Sequence, residues 1–505
     1  MSTPDPSTVP TNLERQRKQA RDLLRAAQAG DAAALARLRA VRSDAGSPSR
    51  TLRLADAQLA IAREAGFASW PKLVEALRAR DLEAFRDAVR ARDHARTRKL
   101  LGLSHVRARI NDPLFDFGAR AAHVAARDEA LLSVLIDAGA DVNLTSAWES
   151  GPFTVLDHAD DRTARFLLEQ GASLTPNAAA RLGWIDELRA LLDANPALVR
   201  HRGGDGRQPL HEAATPEIAG LLLDRGAGID TRCIDHHSTP AQYALVERPE
   251  VCRYLLARGA AADIFMAARL GNADLAARLL DADPACLDAR IGEPGYPPVP
   301  PMHIYGWTLG FGRSPQEVGL AAGHHEVARL LAARSPLRLR FLNALLAADE
   351  ASARELLAQD PSVPASLTRS DHGRLAVAIF HENFAAARLM LGFGFDPGAP
   401  GVDGGTALHA ACWVGNVGMV EEVLARKVVP VDARDPTHGS TPLGWAAFGA
   451  VHRRAPGADY AGVIERLVAA GADVTAPGNG EGRTLMQMAH GNPQVQEALR
   501  RHGAV

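Results

Sequence analysis

The sequence predicts an all-α solenoid: a linear stack of helix–turn–helix units behind a small helical domain. Three observations predict it. A glycine turn recurs, in Leu135–Gly139–Ala140–Asp141, Leu167–Gly171–Ala172, Leu222–Gly226–Ala227, Leu255–Gly259–Ala260 and Leu467–Gly471–Ala472–Asp473; Gly139 and Gly171 are 32 residues apart, Gly226 and Gly259 are 33 apart. A helix-opening signature recurs as well, in Gln208-Pro-Leu-His211, Thr239-Pro240, Thr406-Ala-Leu-His409 and Thr441-Pro-Leu-Gly-Trp445. Aromatic residues make up only 5% of the 505-residue chain and alanine is abundant, as closely approaching aliphatic helices require. Periods of this size mark repeat architectures, in which a unit buries its apolar face only against its neighbours. A length prior of three or four globular domains therefore does not apply.

The elements follow in order. Residues 1–11 are Ser/Thr/Pro-rich and read as a disordered tail. Residues 12–79 read as a helical cap: a helix from Leu13 to about Val41, a polar break from Asp44 to Ser49, a helix from Leu54 to Ala65 ended by Gly66, and a third opened by Ser69 and Pro71. Residues 80–290 and 313–505 read as two arrays, about thirteen units in all at the ~33-residue period. In each unit Thr or Ser caps the first helix and Pro stands at its first position. The second helix carries an aliphatic stripe, as in Val251, Leu255 and Leu256. A left-handed glycine ends it and turns the chain into an expected β-hairpin finger. Residues 291–312 interrupt the arrays as an insertion rich in Pro, Gly and aromatics, and Gly449–Tyr460 is a second, smaller insertion between the helices of one unit.

The Thr-Pro-Leu-His-x-Ala-Ala and Leu-x-x-x-Gly-Ala-Asp signals resemble the ankyrin repeat over most of the chain. The segment Asp56–Leu73 resembles a helical cap that precedes ankyrin repeats in many bacterial proteins, which implies a bacterial origin and a structural role for it. The resemblance implies a curved array whose fingers and first helices line a concave groove, and protein–protein interaction as the activity. Family position places Glu212, Tyr243, Trp413 and Trp445 on the groove with Phe448 nearby, and gives His211 and His409 a role bridging loops.

Composition narrows the partners. Lys+Arg 57 against Asp+Glu 59 gives −2, without the electrostatic footprint of a nucleic-acid binder. No run of 18 apolar residues exists to span a membrane, and the first residues lack the apolar core of a secretory signal. Four scattered cysteines argue for a reducing compartment, so a cytoplasmic location is expected.

Candidate site residues fall in three places. The 291–312 insertion holds Tyr296, His303, Tyr305, Trp307 and Phe311, which stiff prolines could present as a pocket or anchor. Two finger segments, Asp235-His-His237-Ser-Thr-Pro240 and Asp435-Pro-Thr-His438-Gly-Ser-Thr-Pro442, pair an aspartate with a histidine two or three residues on. Such a pair is the minimum for acid–base work, although its recurrence fits a structural role in the fingers better. The expected binding residues are Tyr243, Tyr305, Trp307, Trp413, Trp445 and His438, since aromatics dominate protein anchors. No nucleotide, nucleophile-elbow or metal-ligand motif is found, and the pairs His236–His237 and His324–His325 lack ligand spacing, so neither cofactor nor metal is expected. The first reading is a scaffold that binds another protein. The alternative is an enzyme or small-molecule binder with a pocket under the insertion, using Asp235, His237, His303 and Tyr305 for acid–base chemistry.

Overall fold

A computed structural model describes residues 13–41, 51–292 and 303–504. Helices are the regular elements of the described residues, and no β-strand forms among them. It divides into two compact units, Met1–Glu212 and Ala213–Val505.

Unit 1 begins with four helices, Leu13–Gln28, Ala32–Val41, Leu54–Glu64 and Trp70–Arg90. Leu23, Leu38, Ala57, Ala60, Ile61, Leu73 and Leu77 form their common core. Gly30 (φ 87°) and Gly66 (φ 84°) close the first and third helices, and Ser69 Oγ accepts from Lys72 N at 3.5 Å to open the fourth. The first expected helix is thus two, because Gly30 lies in the left-handed region that ends helices. The cap also does not stop at residue 79. Trp70–Arg90 runs through that point, with Leu73 and Leu77 in the cap core and Phe85 and Val89 in the core of the following repeats.

The later helices of unit 1 include the pairs Ala121–Val124 with Glu129–Asp137 and Pro176–Leu182 with Ile185–Ala194. Asparagines couple successive turns. Asn111 Nδ2 donates to Gly139 O (3.0 Å) while its Oδ1 accepts from Asp141 N (2.9 Å). Asn143, 32 residues on, repeats the pattern with Gly171 O (2.9 Å) and Ser173 N (2.8 Å). The Gly139 and Gly171 turns are therefore each clamped by the preceding loop.

Unit 2 continues the pairing, with first helices Pro240–Glu247, Ile264–Leu270, Pro315–Ala321, Arg369–Phe380, Ala407–Trp413 and Pro442–His452. Their caps follow the sequence: Thr239 Oγ1 accepts from Gln242 N (3.4 Å), Ser314 Oγ from Glu317 N (3.2 Å) and Thr441 Oγ1 from Gly444 N (3.1 Å). The expected β-hairpin fingers are turns rather than strands. Each is closed by one reverse backbone bond, as in Cys233 N to Ser238 O (3.1 Å), Gly401 N to Gly405 O (2.8 Å) and Asp435 N to Ser440 O (3.0 Å). A turn of five or six residues leaves no length for a ladder. The second insertion is shorter than expected, because Gly449–His452 complete the first helix.

Candidate functional site: a buried polar lattice and an aromatic ridge

Both features lie in unit 2. Where the preceding unit has His211 and the Thr406 unit has His409, the Thr239-Pro-Ala-Gln242 frame places a glutamine. Gln242 Oε1 accepts from Thr239 N (2.9 Å) and lies 3.1 Å from His303 Nε2. Its Nε2 donates to Asp263 Oδ2 (3.1 Å), which also accepts from Tyr305 OH (2.8 Å). Asp263 Oδ1 caps Ile264–Leu270 by accepting from Met266 N (2.9 Å). Tyr305 N donates to His303 Nδ1 (3.2 Å), so His303 is neutral with its proton on Nε2, directed at Gln242.

Electrostatics agrees with that assignment. Burial pushes His303 down to about 3, with Arg232 and His236 adding repulsion. Burial pushes the Asp263 carboxyl up, while Gln242, Met266 N and Tyr305 pull it back. Ile304 N donates to Ser238 Oγ (3.1 Å), fastening the segment to the finger at 233–238. The lattice therefore holds residues 303–305 down. The His303 shift also sets a pH dependence. The unfolded histidine takes up a proton near its ordinary pKa of about 6.5, the folded one only near 3, so its contribution to stability is lost as pH falls through that window. Asp263, raised on folding, acts with the opposite sign above its unfolded value. His303→Gln is expected to flatten the decline in melting temperature between about pH 6.5 and pH 4, read by thermal melts at each pH.

After the lattice, Gly306–Gly310 forms a single wide turn. Gly306 has no side chain because a Cβ there would lie 2.4 Å from the Phe311 ring. Trp307 meets Phe311 edge to face at 5.6 Å and remains 62% exposed. His381 Nε2 lies 2.7 Å from Phe311 O, tying the turn to the end of Arg369–Phe380. There a row of rings begins. Phe380 and Trp413 stack at 6.2 Å, Trp413 and Phe448 at 6.3 Å, and Phe448 meets His452 at 3.9 Å. Phe380, Trp413 and Phe448 occupy equivalent positions of successive repeats, 33 and 35 residues apart, so stacking the units stacks the rings. Arg453 lies over Phe380 (5.9 Å) and pairs with Glu382.

The sequence-selected residues divide accordingly. Trp307 is displayed, and Trp413 is half-buried within the row, its Nε1 enclosed with no hydrogen-bond partner among the described residues. Trp445 and Tyr305 are buried, at 7% and 0% exposure, rather than open anchors. The cause for Trp445 is its indole N–H, which donates to Asp435 Oδ2 (2.9 Å) while the ring lies against His409. Tyr243 is half-buried, its hydroxyl 3.4 Å from Cys233 Sγ.

Neither finger pairs its aspartate with the histidine two or three residues on. Asp235 lies 3.4 Å from His236, while His237 is exposed at φ 49°. Asp435 is buried and accepts from the backbone of Thr437, His438 and Ser440, and His438 turns instead toward Asp403 at 3.6 Å. His303 and Tyr305 share the lattice, but Asp235 and His237 do not join it. Tyr296 lies outside the described residues. Asp263 and Phe380 escaped the sequence reading. Spacing from Trp413 would have found Phe380; Asp263 looks in sequence like any helix cap.

His409 bridges loops as its position implies: Nδ1 accepts from Thr406 N (3.2 Å), and Nε2 lies 3.0 Å from Ala433 O and 3.2 Å from Ser440 O. In unit 1 a cleft of about 880 Å³ is lined by Val74, Arg78, Leu82, His105 and Arg109, none of them a sequence-selected residue. No helix among the described residues is long and apolar enough to cross a membrane. No curated protein matches the chain. Residues 375–421, which contain Phe380 and Trp413, match the family model described as ankyrin repeats (many copies), repeats that generally mediate protein–protein interaction, and this stretch is thereby identified as ankyrin-repeat sequence.

Proposed function

We propose that the protein is a cytoplasmic scaffold of bacterial origin, built of about thirteen ankyrin units, that binds a partner protein along the first-helix face of unit 2. One observation carries the reading: the row Phe380, Trp413, Phe448 and His452 leads back through His381 and Phe311 to the exposed Trp307. Rings aligned across several repeats give one extended apolar surface with little side-chain entropy to lose, the composition of interface hot spots. The finger histidines His237 and His438 are both exposed. The alternative reading as an enzyme or small-molecule binder draws no support from His303 and Tyr305, whose polar atoms are engaged in the lattice.

The test is quantitative affinity capture with wild type, Trp307→Ala and Tyr305→Ala. Trp307→Ala should lower recovery of the specific partner at least tenfold, about 1.4 kcal/mol or more, with the melting temperature within about 1 °C of wild type. Tyr305→Ala should instead lower the melting temperature, because it empties a fully buried site. Undiminished capture by Trp307→Ala would refute this reading.

A further inference from the structure

Arg374 stands where the next two repeats have Ala407 and Pro442, at a packed position of the first helix. It can stand there because Arg369–Phe380 begins a turn earlier, capped by Thr368. The side chain is 1% exposed. Its Nη2 donates to Glu317 Oε2 at 2.8 Å, while Nε and Nη1 are buried with no hydrogen-bond partner among the described residues. Buried polar groups in folded proteins are almost always satisfied, and an orphaned donor calls for an explanation such as a bound ion.

The surroundings carry an excess of positive charge. Glu317 is the carboxylate that pairs with Arg374, and it also accepts from Ser314 N and Oγ. Burial pushes Glu317 up, but Arg374 and Ser314 outweigh it and hold the carboxyl below its usual range, with the buried Arg290 adding to the pull. Asp371 and Asp288 are both held by Arg338. Among the described residues Arg313 has no ion-pair partner, and it follows directly on the Gly310–Gly312 loop. Gly310 (φ 104°) and Gly312 (φ 71°) bring the loop backbone close to these groups: a Cβ at Gly310 would lie 3.1 Å from Arg313 Nε and 3.4 Å from His381 Cε1, and one at Gly312 would lie 2.8 Å from a Val377 methyl and 3.2 Å from Arg374 Nη1.

We propose that Arg374, Arg313 and the Gly310–Gly312 loop form a binding site for a small oxyanion, a phosphate or phosphate-monoester group, taken by the unpartnered nitrogens of Arg374 with Arg313 at the rim. A guanidinium suits this ligand because its planar donors match tetrahedral oxyanions and it stays charged when buried. Water could satisfy the donors but would leave the charge excess. The site stands apart from the ridge reading, since it needs no protein partner.

The experiment uses the full chain. Melting temperature is read with inorganic phosphate, with phosphoserine and with sodium chloride at matched ionic strength, for wild type, Arg313→Gln and Arg374→Lys. About 10 mM phosphate should raise the wild-type melting temperature by about 2–4 °C over chloride. Arg313→Gln should at least halve the shift and Arg374→Lys should remove it. If Arg374→Lys does not fold, broadening of the phosphate ³¹P resonance by wild type but less by Arg313→Gln gives the same answer. An equal or larger shift with phosphoserine identifies a phosphoryl group on a larger molecule, and a shift with inorganic phosphate alone identifies the free ion; both support the site. No shift beyond chloride, or equal shifts in wild type and both variants, overturns it.

Discussion

Asp263→Ala should lower the stability of unit 2 by about 3 kcal/mol or more, read as a drop in the urea midpoint. The carboxylate does two jobs. It caps Ile264–Leu270 through Met266 N, a contribution of about 1 kcal/mol. It also accepts from Gln242 Nε2 and Tyr305 OH, and removing it leaves two buried donors unmade at about 1–3 kcal/mol each. Asp263→Asn keeps the shape and one acceptor oxygen, so it should cost clearly less. The loss in Asp263→Ala should be accompanied by release of residues 303–312, visible as faster amide exchange there than in Arg369–Phe380. A stability change under about 1 kcal/mol would show that the lattice does not anchor the segment.

Trp445→Ala should cost about 3–5 kcal/mol, the range for emptying a buried aromatic site. The ring fills the space above Gly405, where a Cβ would lie 2.8 Å from it, and lies against His409 and Trp413. Its loss also leaves Asp435 Oδ2 with Ser440 N alone among its donors. The finger at 435–440 and the loop bridge of His409 should loosen together. Trp445→Phe preserves most of the packing and should isolate the hydrogen bond at about 1–2 kcal/mol. Thermal or urea unfolding of the two variants separates the terms.

Much of the fold was legible because the repeat writes it locally. Thr239, Ser314 and Thr441 cap helices as their sequence context implies, and Gly139, Gly171, Gly226 and Gly259 take positive φ where the turns were expected. The cap boundary at residue 79 was not legible. The apolar face of Trp70–Arg90 continues past it, and only three-dimensional packing shows which half serves which core. Fingers were read as hairpins, since a turn signal does not reveal that the flanks are too short to pair.

The site was half legible. Rarity of aromatics pointed to Trp307 and Trp413, but residue type does not state burial. Trp445 is drawn in by Asp435, ten residues away, and Tyr305 by Asp263, 42 residues away. The spacing of aspartate and histidine, two residues in one finger and three in the other, was misleading for a related reason: in both fingers the backbone turns the two side chains to different partners.

The central claim, that unit 2 binds a partner along its aromatic ridge, is tested most directly by amide hydrogen exchange on the complex recovered by affinity capture. Slowed exchange is predicted at residues 304–313, 378–382, 411–415 and 446–453. Protection confined to the second helices, Val417–Leu424 and Tyr460–Ala469, or to the unit 1 turn around the exposed Phe117, would contradict it.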